Sequence, residues 1–188
     1  MARIQSYVNE MLAASKVDME KILIAKGFRT LGPFDTIDEM TFSQKSDATL
    51  IYAPEFDAKL DFVAADTQIG GSGRVAQTGQ VVIRGSEVLT FLEPLTREKV
   101  WLKRYDLEQF SAPYDVNARV GGQSVGTLVA DAITGQNVQP TDTRASAAVT
   151  VLNSFYAAAM QKMWDHLDPR EIDGLTAEAG RLKKLKRF

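Results

Sequence analysis

The sequence predicts an α+β domain in which an antiparallel sheet packs against an N-terminal helix and a long C-terminal helix. Two apolar segments flank the polar break at residues 93–98, and their β-branched and aromatic side chains are typical of a β-hairpin. Apolar residues recur at helical spacing near both ends of the chain. The 188 residues are enough for one hydrophobic core, so residues 1–188 are expected to form a single domain.

The first predicted element is an amphipathic helix from Arg3 to Lys26. Its apolar residues recur at intervals of three and four, and Gly27 directly after it is a helix stop. Residues 28–31 are expected to form a short strand, which a Gly-Pro pair then ends. Residues 35–40 fit a helical turn or a loop equally well, and both interpretations stay open.

The next segments are predicted to be strands at residues 49–53 and 56–62. Pro54 between them favours an edge position, because proline has no N–H to donate to a ladder. Apolar and charged residues alternate over 56–62, which indicates one solvated face and therefore an antiparallel sheet. Residues 66–80 are polar and rich in glycine, so they are expected to form a mobile loop before a strand begins at Val81.

The region after the hairpin is predicted to be irregular over residues 111–144, with a short helix at 125–133. Residues 141–143 offer N-caps for a long helix that Asp168-Pro169 should end. The proline is also suited to open a further helix at its first turn. A basic tail at residues 181–188 completes the chain.

The composition excludes several classes of function. With 22 basic and 24 acidic residues the net charge is −2, so nucleic-acid binding is not expected. The absence of cysteine excludes disulfides and thiol chemistry. No stretch approaches the ~20 apolar residues of a membrane-spanning helix. The first residues lack the apolar core of a signal peptide, and a cytoplasmic location is not excluded.

The residues that usually carry catalysis are sparse. His166 is the single histidine and is expected to be a surface or capping residue, since no nucleophile-elbow sequence accompanies it. The segment 70–74 lacks the Lys-Ser/Thr pair of a phosphate-binding loop. Asp57 and Asp61 fit a solvated strand face better than a calcium site. We therefore predict no catalytic residue, metal or cofactor, and a hydrolase is the disfavoured alternative.

Basic side chains are the candidate interaction residues. The tail fits three interpretations: contact with anionic lipid at ~1 kcal/mol per basic residue, contact with a protein partner, or compensation of a helix dipole. The candidates are Arg74, Arg181, Lys183, Lys184, Lys186 and Arg187.

Three short motifs in the same order resemble one known family. They are FSQK at 42–45, LEP at 92–94 and MQKM at 160–163, with a weaker GG at 121–122. Together they resemble the neuraminyllactose-binding haemagglutinin family of bacterial lipoproteins, also described as flagellar sheath adhesins. The resemblance covers residues 11–186.

The resemblance implies an exported, non-enzymatic α+β protein that a lipid on an N-terminal cysteine anchors to the outer membrane. That cysteine and the export leader are absent from this chain. The lysine-rich motif KRTIQKK, proposed in the family for sialic acid, would fall within residues 66–80, where Arg74 is the single basic residue. Sialic-acid recognition is therefore not transferred to this chain.

The expected function is adhesin-like binding of an envelope or host-surface protein or a glycan. The alternative is a structural accessory subunit of an envelope machine, such as a flagellar sheath, flagellar motor or secretion complex. An outer-membrane-associated, periplasmic or cell-surface location follows from the resemblance. Homo-oligomerisation stays open.

Overall fold

The computed structural model describes residues 2–70, 74–119 and 141–185. Its four strands form one antiparallel sheet in the order β1-β2-β3-β4, and helices lie at both ends of the sequence. The predicted α+β class is confirmed. The elements are α1 (Ala2–Ala25), a 3-10 turn (Ile37–Glu39), α2 (Phe42–Asp47), β1 (Ile51–Ile69), β2 (Arg74–Leu92), β3 (Lys99–Arg119), β4 (Thr141–Asp142), α3 (Arg144–His166) and α4 (Pro169–Leu185).

The N-terminal helix ends where the sequence predicts. Gly27 has a φ of 92°, the left-handed conformation that terminates helices at low cost for glycine. The N–H of Phe28 donates to the carbonyl oxygen of Leu23 at 3.0 Å, so a backbone carbonyl of the last turn is paired. The chain can therefore leave the helix within two residues.

The junction between the two C-terminal helices is also as predicted. The side chain of Asp168 accepts the N–H of Arg170 at 2.9 Å, and its carbonyl accepts the N–H of Ile172 at 3.1 Å. Asp168 thus caps the N-terminus of α4, and Pro169 occupies the first helical position, where its missing N–H costs nothing.

Two predicted irregular regions are strands instead. β1 continues to Ile69 and β2 begins at Arg74, so the predicted loop at 66–80 is wrong at residues 66–69 and 74–80, and residues 71–73 lie outside the described residues. The N–H of Gly70 donates to the carbonyl oxygen of Arg74 at 2.8 Å, which pairs the end of β1 with the start of β2. β3 likewise continues to Arg119 and β4 lies at Thr141–Asp142, so the irregular segment predicted over 111–144 is wrong at these strands, and its residues 120–140 lie outside the described residues. The predicted helix at 125–133 lies outside the described residues.

Two local predictions before the sheet are also wrong. Residues 28–31 form no strand, and residues 42–47 form a short helix that the sequence interpretation missed. Thr41 and Gln44 make a reciprocal capping box at the start of this helix. The open segment at 35–40 contains the 3-10 turn.

The contacts of the chain cluster into two compact units, each with its own buried residues. Unit 1 comprises the described residues of 1–7, 59–84 and 109–155, and unit 2 comprises 8–58, 85–108 and those of 156–188. The core of unit 2 contains Met19, Leu89, Phe91, Met163, Leu167 and Ile172. The buried residues of unit 1 include Val81, Ile83, Tyr114, Ala148, Val151, Leu152 and Phe155. A single domain over 1–188 stays a prediction.

Candidate functional site

The predicted basic residues fall in both units. Arg74 begins β2 in unit 1 and is half-buried, whereas Arg181, Lys183 and Lys184 lie near the end of α4 in unit 2. The Nε atom of Arg181 donates to Glu178 on its own helix at 2.9 Å, and Lys184 is exposed. Lys186 and Arg187 lie outside the described residues.

The ammonium group of Lys183 is held by the body of unit 2. Its Nζ donates to the carbonyl oxygens of Ala48 at 2.7 Å and Ser46 at 3.0 Å. It also lies 3.9 Å from Oε1 of the fully buried Glu93. These contacts pair α4 with the end of α2, so Lys183 has an architectural role in this structure.

Glu93, the central residue of the LEP motif, organises the turn between β2 and β3. Its Oε2 atom accepts the backbone N–H of Thr96 at 2.6 Å and of Leu95 at 3.1 Å. Its own N–H donates to the carbonyl oxygen of Glu98 at 2.9 Å. The turn also holds Arg97 at a φ of 60°, and the Arg97 guanidinium pairs with Asp38. The glutamate of the LEP motif therefore stabilises the conformation of the turn between β2 and β3.

A carboxylate on α4 joins two side chains of β3. Glu171 accepts the indole N–H of Trp101 at 2.9 Å on Oε1 and the ammonium of Lys103 at 2.8 Å on Oε2. The hydrogen bond from Lys103, followed by that from Trp101, lowers the pKa of the Glu171 carboxyl. The Lys103 ammonium also lies 4.9 Å from the centre of the Trp101 ring.

The same face of β3 carries Tyr105, on which the single histidine stacks. The Tyr105 and His166 rings are nearly parallel, at 12°, with centroids 4.0 Å apart. Burial, followed by the nearby charge of Lys103, lowers the pKa of His166. We call Trp101, Lys103, Tyr105, His166 and Glu171 the β3 cluster. His166 is thus half-buried at the end of α3, where its ring packs on Tyr105.

A buried carboxyl and two tyrosine hydroxyls form a second polar group in unit 2. Glu87 is completely buried, and neither of its carboxyl oxygens has a hydrogen-bond partner. The hydroxyls of Tyr52 and Tyr105 are likewise buried and without a partner. Burial raises the pKa of Glu87 to about 8, and burial followed by the charge of Glu87 raises the pKa of Tyr52. Glu87 is therefore largely protonated at neutral pH.

Unit 1 contains a groove of about 460 Å³ at the start of α1 and α3. Its lining offers methyl groups and two hydroxyls but no titratable side chain, so it brings no acid, base or nucleophile-base pair to a bound molecule. The lining residues are Ile4, Ala145, Ser146, Val149 and Thr150.

These arrangements pack and hydrogen-bond segments of the chain to one another. Both oxygens of Glu171 already have donors, and the buried Glu87 does not border the unit 1 groove. Within residues 2–70, 74–119 and 141–185, no three His, Asp or Glu side chains converge on a position where a metal would fit. No helix among these residues is long and apolar enough to cross a bilayer.

The sequence interpretation missed the β3 cluster and Glu87. Alternation along a strand nevertheless indicates which face Glu87 and the three strand residues of the cluster occupy. Trp101, Lys103 and Tyr105 alternate along one strand and so share a face. Glu87 shares a strand face with Leu89 and Phe91, which are core residues. A carboxylate in register with two core residues is the sequence signal of a buried acid.

Comparison with known proteins shows that a solved structure shares this fold. No family model matches the chain, and no curated protein matches it. Solved structures do match, among them the crystal structure of a neuraminyllactose-binding hemagglutinin homolog from Helicobacter pylori. The TM-score is 0.60 at 15% sequence identity, and the match covers 94% of this chain and 81% of that chain. This likeness establishes a shared fold at a distant relationship.

Proposed function

We propose that this chain is a non-enzymatic binding domain of a bacterial cell envelope that makes adhesin-like contact with a surface protein or glycan. The fold shared with the hemagglutinin homolog over 94% of the chain is the observation that carries the proposal. Fold alone does not define a ligand, so the binding chemistry has to come from this chain's own surface.

The exposed cations at the end of α4 are the proposed contact residues. Arg181 and Lys184 are exposed on unit 2, and Lys186 and Arg187 follow them in the sequence. Guanidinium and ammonium groups pair with carboxylates, sulfates and phosphates, which are common on cell surfaces. Lys183 is left out of this surface because its side chain is half-buried and donates to two backbone carbonyls, whereas Arg181 bonds to Glu178 but stays exposed.

A binding assay tests the proposal. The full chain is applied to immobilised acidic and neutral glycans, neuraminyllactose included, and to intact host cells. Reversal of the surface charge in R181E/K184E should weaken binding at least about tenfold, because two attractions become repulsions. The matched control K99E/R170E makes the same net change at two other exposed positions and should bind as the parent does. Equal binding by both variants would remove the α4 end from the proposal.

A second candidate function is that of a structural accessory subunit of an envelope machine. The exposed half of β1, residues 62–69, favours it because an open strand edge can pair with another chain. Capture of the chain from detergent-solubilised envelope, followed by mass spectrometry, distinguishes the two. Stoichiometric recovery of flagellar or secretion components supports the subunit, whereas recovery of the chain alone supports the binding domain.

A further inference from the structure

β1 forms one edge of the sheet. Within the described part of the chain it hydrogen-bonds to β2 along one side, and no described strand lies on its other side. It is also long, at 19 residues. An edge strand of this length presents a row of backbone donors and acceptors that another strand can pair with.

The second half of β1 lacks the features that usually block such pairing. Pro54 interrupts the first half near its start, but residues 55–69 contain no proline, and Lys59 is their single lysine. Every residue from 62 to 69 is exposed, including Phe62 at 38%, Val63 at 50% and Ile69 at 77%. Exposed apolar side chains on an unprotected edge indicate a surface that a partner strand covers.

We propose that β1 pairs with β1 of a second copy of this chain, in an antiparallel register that places Leu60 opposite Leu60. The pairing generates a twofold symmetric dimer in which residues 61–65 of each copy pair with residues 55–59 of the other, so that the ladder ends before Pro54 and its missing N–H. The partner is identified as a second copy because, in this register, charged side chains on β1 of one copy face opposite charges on β1 of the other. The inference does not depend on the proposed binding function.

The charges at Lys59 and Asp61 define the register. In this alignment Lys59 of each copy lies opposite Asp61 of the other, giving two attractive cross-strand pairs. Moving the register by one residue pair in either direction would place Lys59 opposite Lys59 or Asp61 opposite Asp61, which is repulsive. Within one chain Lys59 Nζ already lies 3.2 Å from Asp61 Oδ1, so both side chains occupy the same face.

The opposite face of the strand is apolar in the same register. Leu60 and Phe62 point away from the charged pair, because neighbouring residues alternate across a strand. The Phe62 ring already contacts Tyr114 edge-on at 6.1 Å, which orients it on unit 1. The two copies of Leu60 then meet at the twofold axis, so the dimer has charge pairing on one face and apolar contact on the other.

Sedimentation velocity of the full chain over a hundredfold range of concentration tests the proposal. The parent chain is expected to shift from monomer to dimer as its concentration rises. The single charge reversals K59E and D61K should each weaken association at least about tenfold, since two attractive pairs become repulsive. The double variant K59E/D61K exchanges the charges and should restore the parent's association.

Mixing the two single variants gives the sharpest test. K59E and D61K are each expected to be monomeric alone, but together they form a heterodimer, because every cross-strand pair becomes attractive again. The matched control K184E changes an exposed charge on α4 and should dimerise as the parent does. A parent chain that is monomeric throughout, single variants that still dimerise, or a mixture that stays monomeric would each overturn the proposal.

Discussion

Lys183 on α4 donates a hydrogen bond to the carbonyl oxygen of Ala48 at 2.7 Å, and so joins the last helix to the residue that ends α2. The same ammonium donates to Ser46 and lies 3.9 Å from the buried Glu93. One side chain on α4 therefore contacts two other segments of unit 2, the end of α2 and the turn between β2 and β3. Its neighbour Lys184 has the same charge but is exposed to solvent.

The K183M variant is expected to lose about 1–3 kcal/mol in the free energy of unfolding, because two backbone carbonyls and a buried carboxylate lose their cationic partner. K184M removes the same charge from the next position and should change the stability by less than about 0.5 kcal/mol. Urea denaturation of both variants measures the difference. Equal stabilities would show that the Lys183 contacts contribute nothing to folding.

Replacing glycine by alanine is expected to change the stability in opposite directions at Gly85 and Gly174. A Cβ at Gly85 would lie 2.2 Å from the carbonyl oxygen of Asp57, a backbone atom that cannot move aside, so G85A should destabilise by about 1–3 kcal/mol. A Cβ at Gly174 on α4 meets nothing within 4 Å, and alanine is the better helix former by about 1 kcal/mol. Thermal melts should therefore move in opposite directions. A stabilising G85A would contradict the close approach of the two strands.

The sequence predicts correctly those parts of the fold that depend on a few neighbouring residues. The end of α1 at Gly27 and the junction at Asp168-Pro169 follow from single residues with strong backbone preferences, and both predictions are confirmed. The hairpin around the 93–98 break is confirmed for the same reason, since its turn and flanking strands are contiguous.

The failures have a different physical origin. Residues 66–69 and 74–80 are polar and contain glycine, so intrinsic preference favours a loop, but pairing between β1 and β2 overrides it. Pairing partners along two long strands are not visible in a short window of sequence. Lys183 is among the predicted interaction residues, but its contacts with residues 46–48 could not be predicted from the sequence, because they depend on how unit 2 folds.

Trp101 and Glu171 should be energetically coupled in their effects on the free energy of unfolding. A double-mutant cycle with W101F and E171A is expected to give an interaction free energy of about 1 kcal/mol, because the indole N–H donates to a charged carboxylate. The control cycle pairs W101F with E178A, whose carboxylate bonds to Arg181 on its own helix, and should be additive within about 0.5 kcal/mol. Additivity in both cycles would make the Trp101 hydrogen bond energetically neutral.

The buried Glu87 makes stability depend on pH. Burial raises its folded-state pKa to about 8 from an ordinary value of 4.5, so between these values the unfolded chain releases a proton that the folded chain keeps. Stability should therefore fall as pH rises across this window, by up to about 1.4 kcal/mol per pH unit, and level off above pH 8. E87Q cannot ionise and should lack this decline.

The difference in stability between E87Q and the parent separates the effect of the Glu87 carboxyl from the effects of the other titratable groups near it. Tyr52 and Tyr105 have raised pKa values and stay neutral across the window, whereas the lowered pKa of His166 acts in both proteins alike. Near pH 4 the two proteins should have similar stability, since the carboxyl is protonated in folded and unfolded states. At pH 8 E87Q should be the more stable by several kcal/mol, measured by denaturant unfolding. A constant difference between pH 4 and 8 would mean that Glu87 keeps an ordinary pKa and that water or another donor reaches its oxygens.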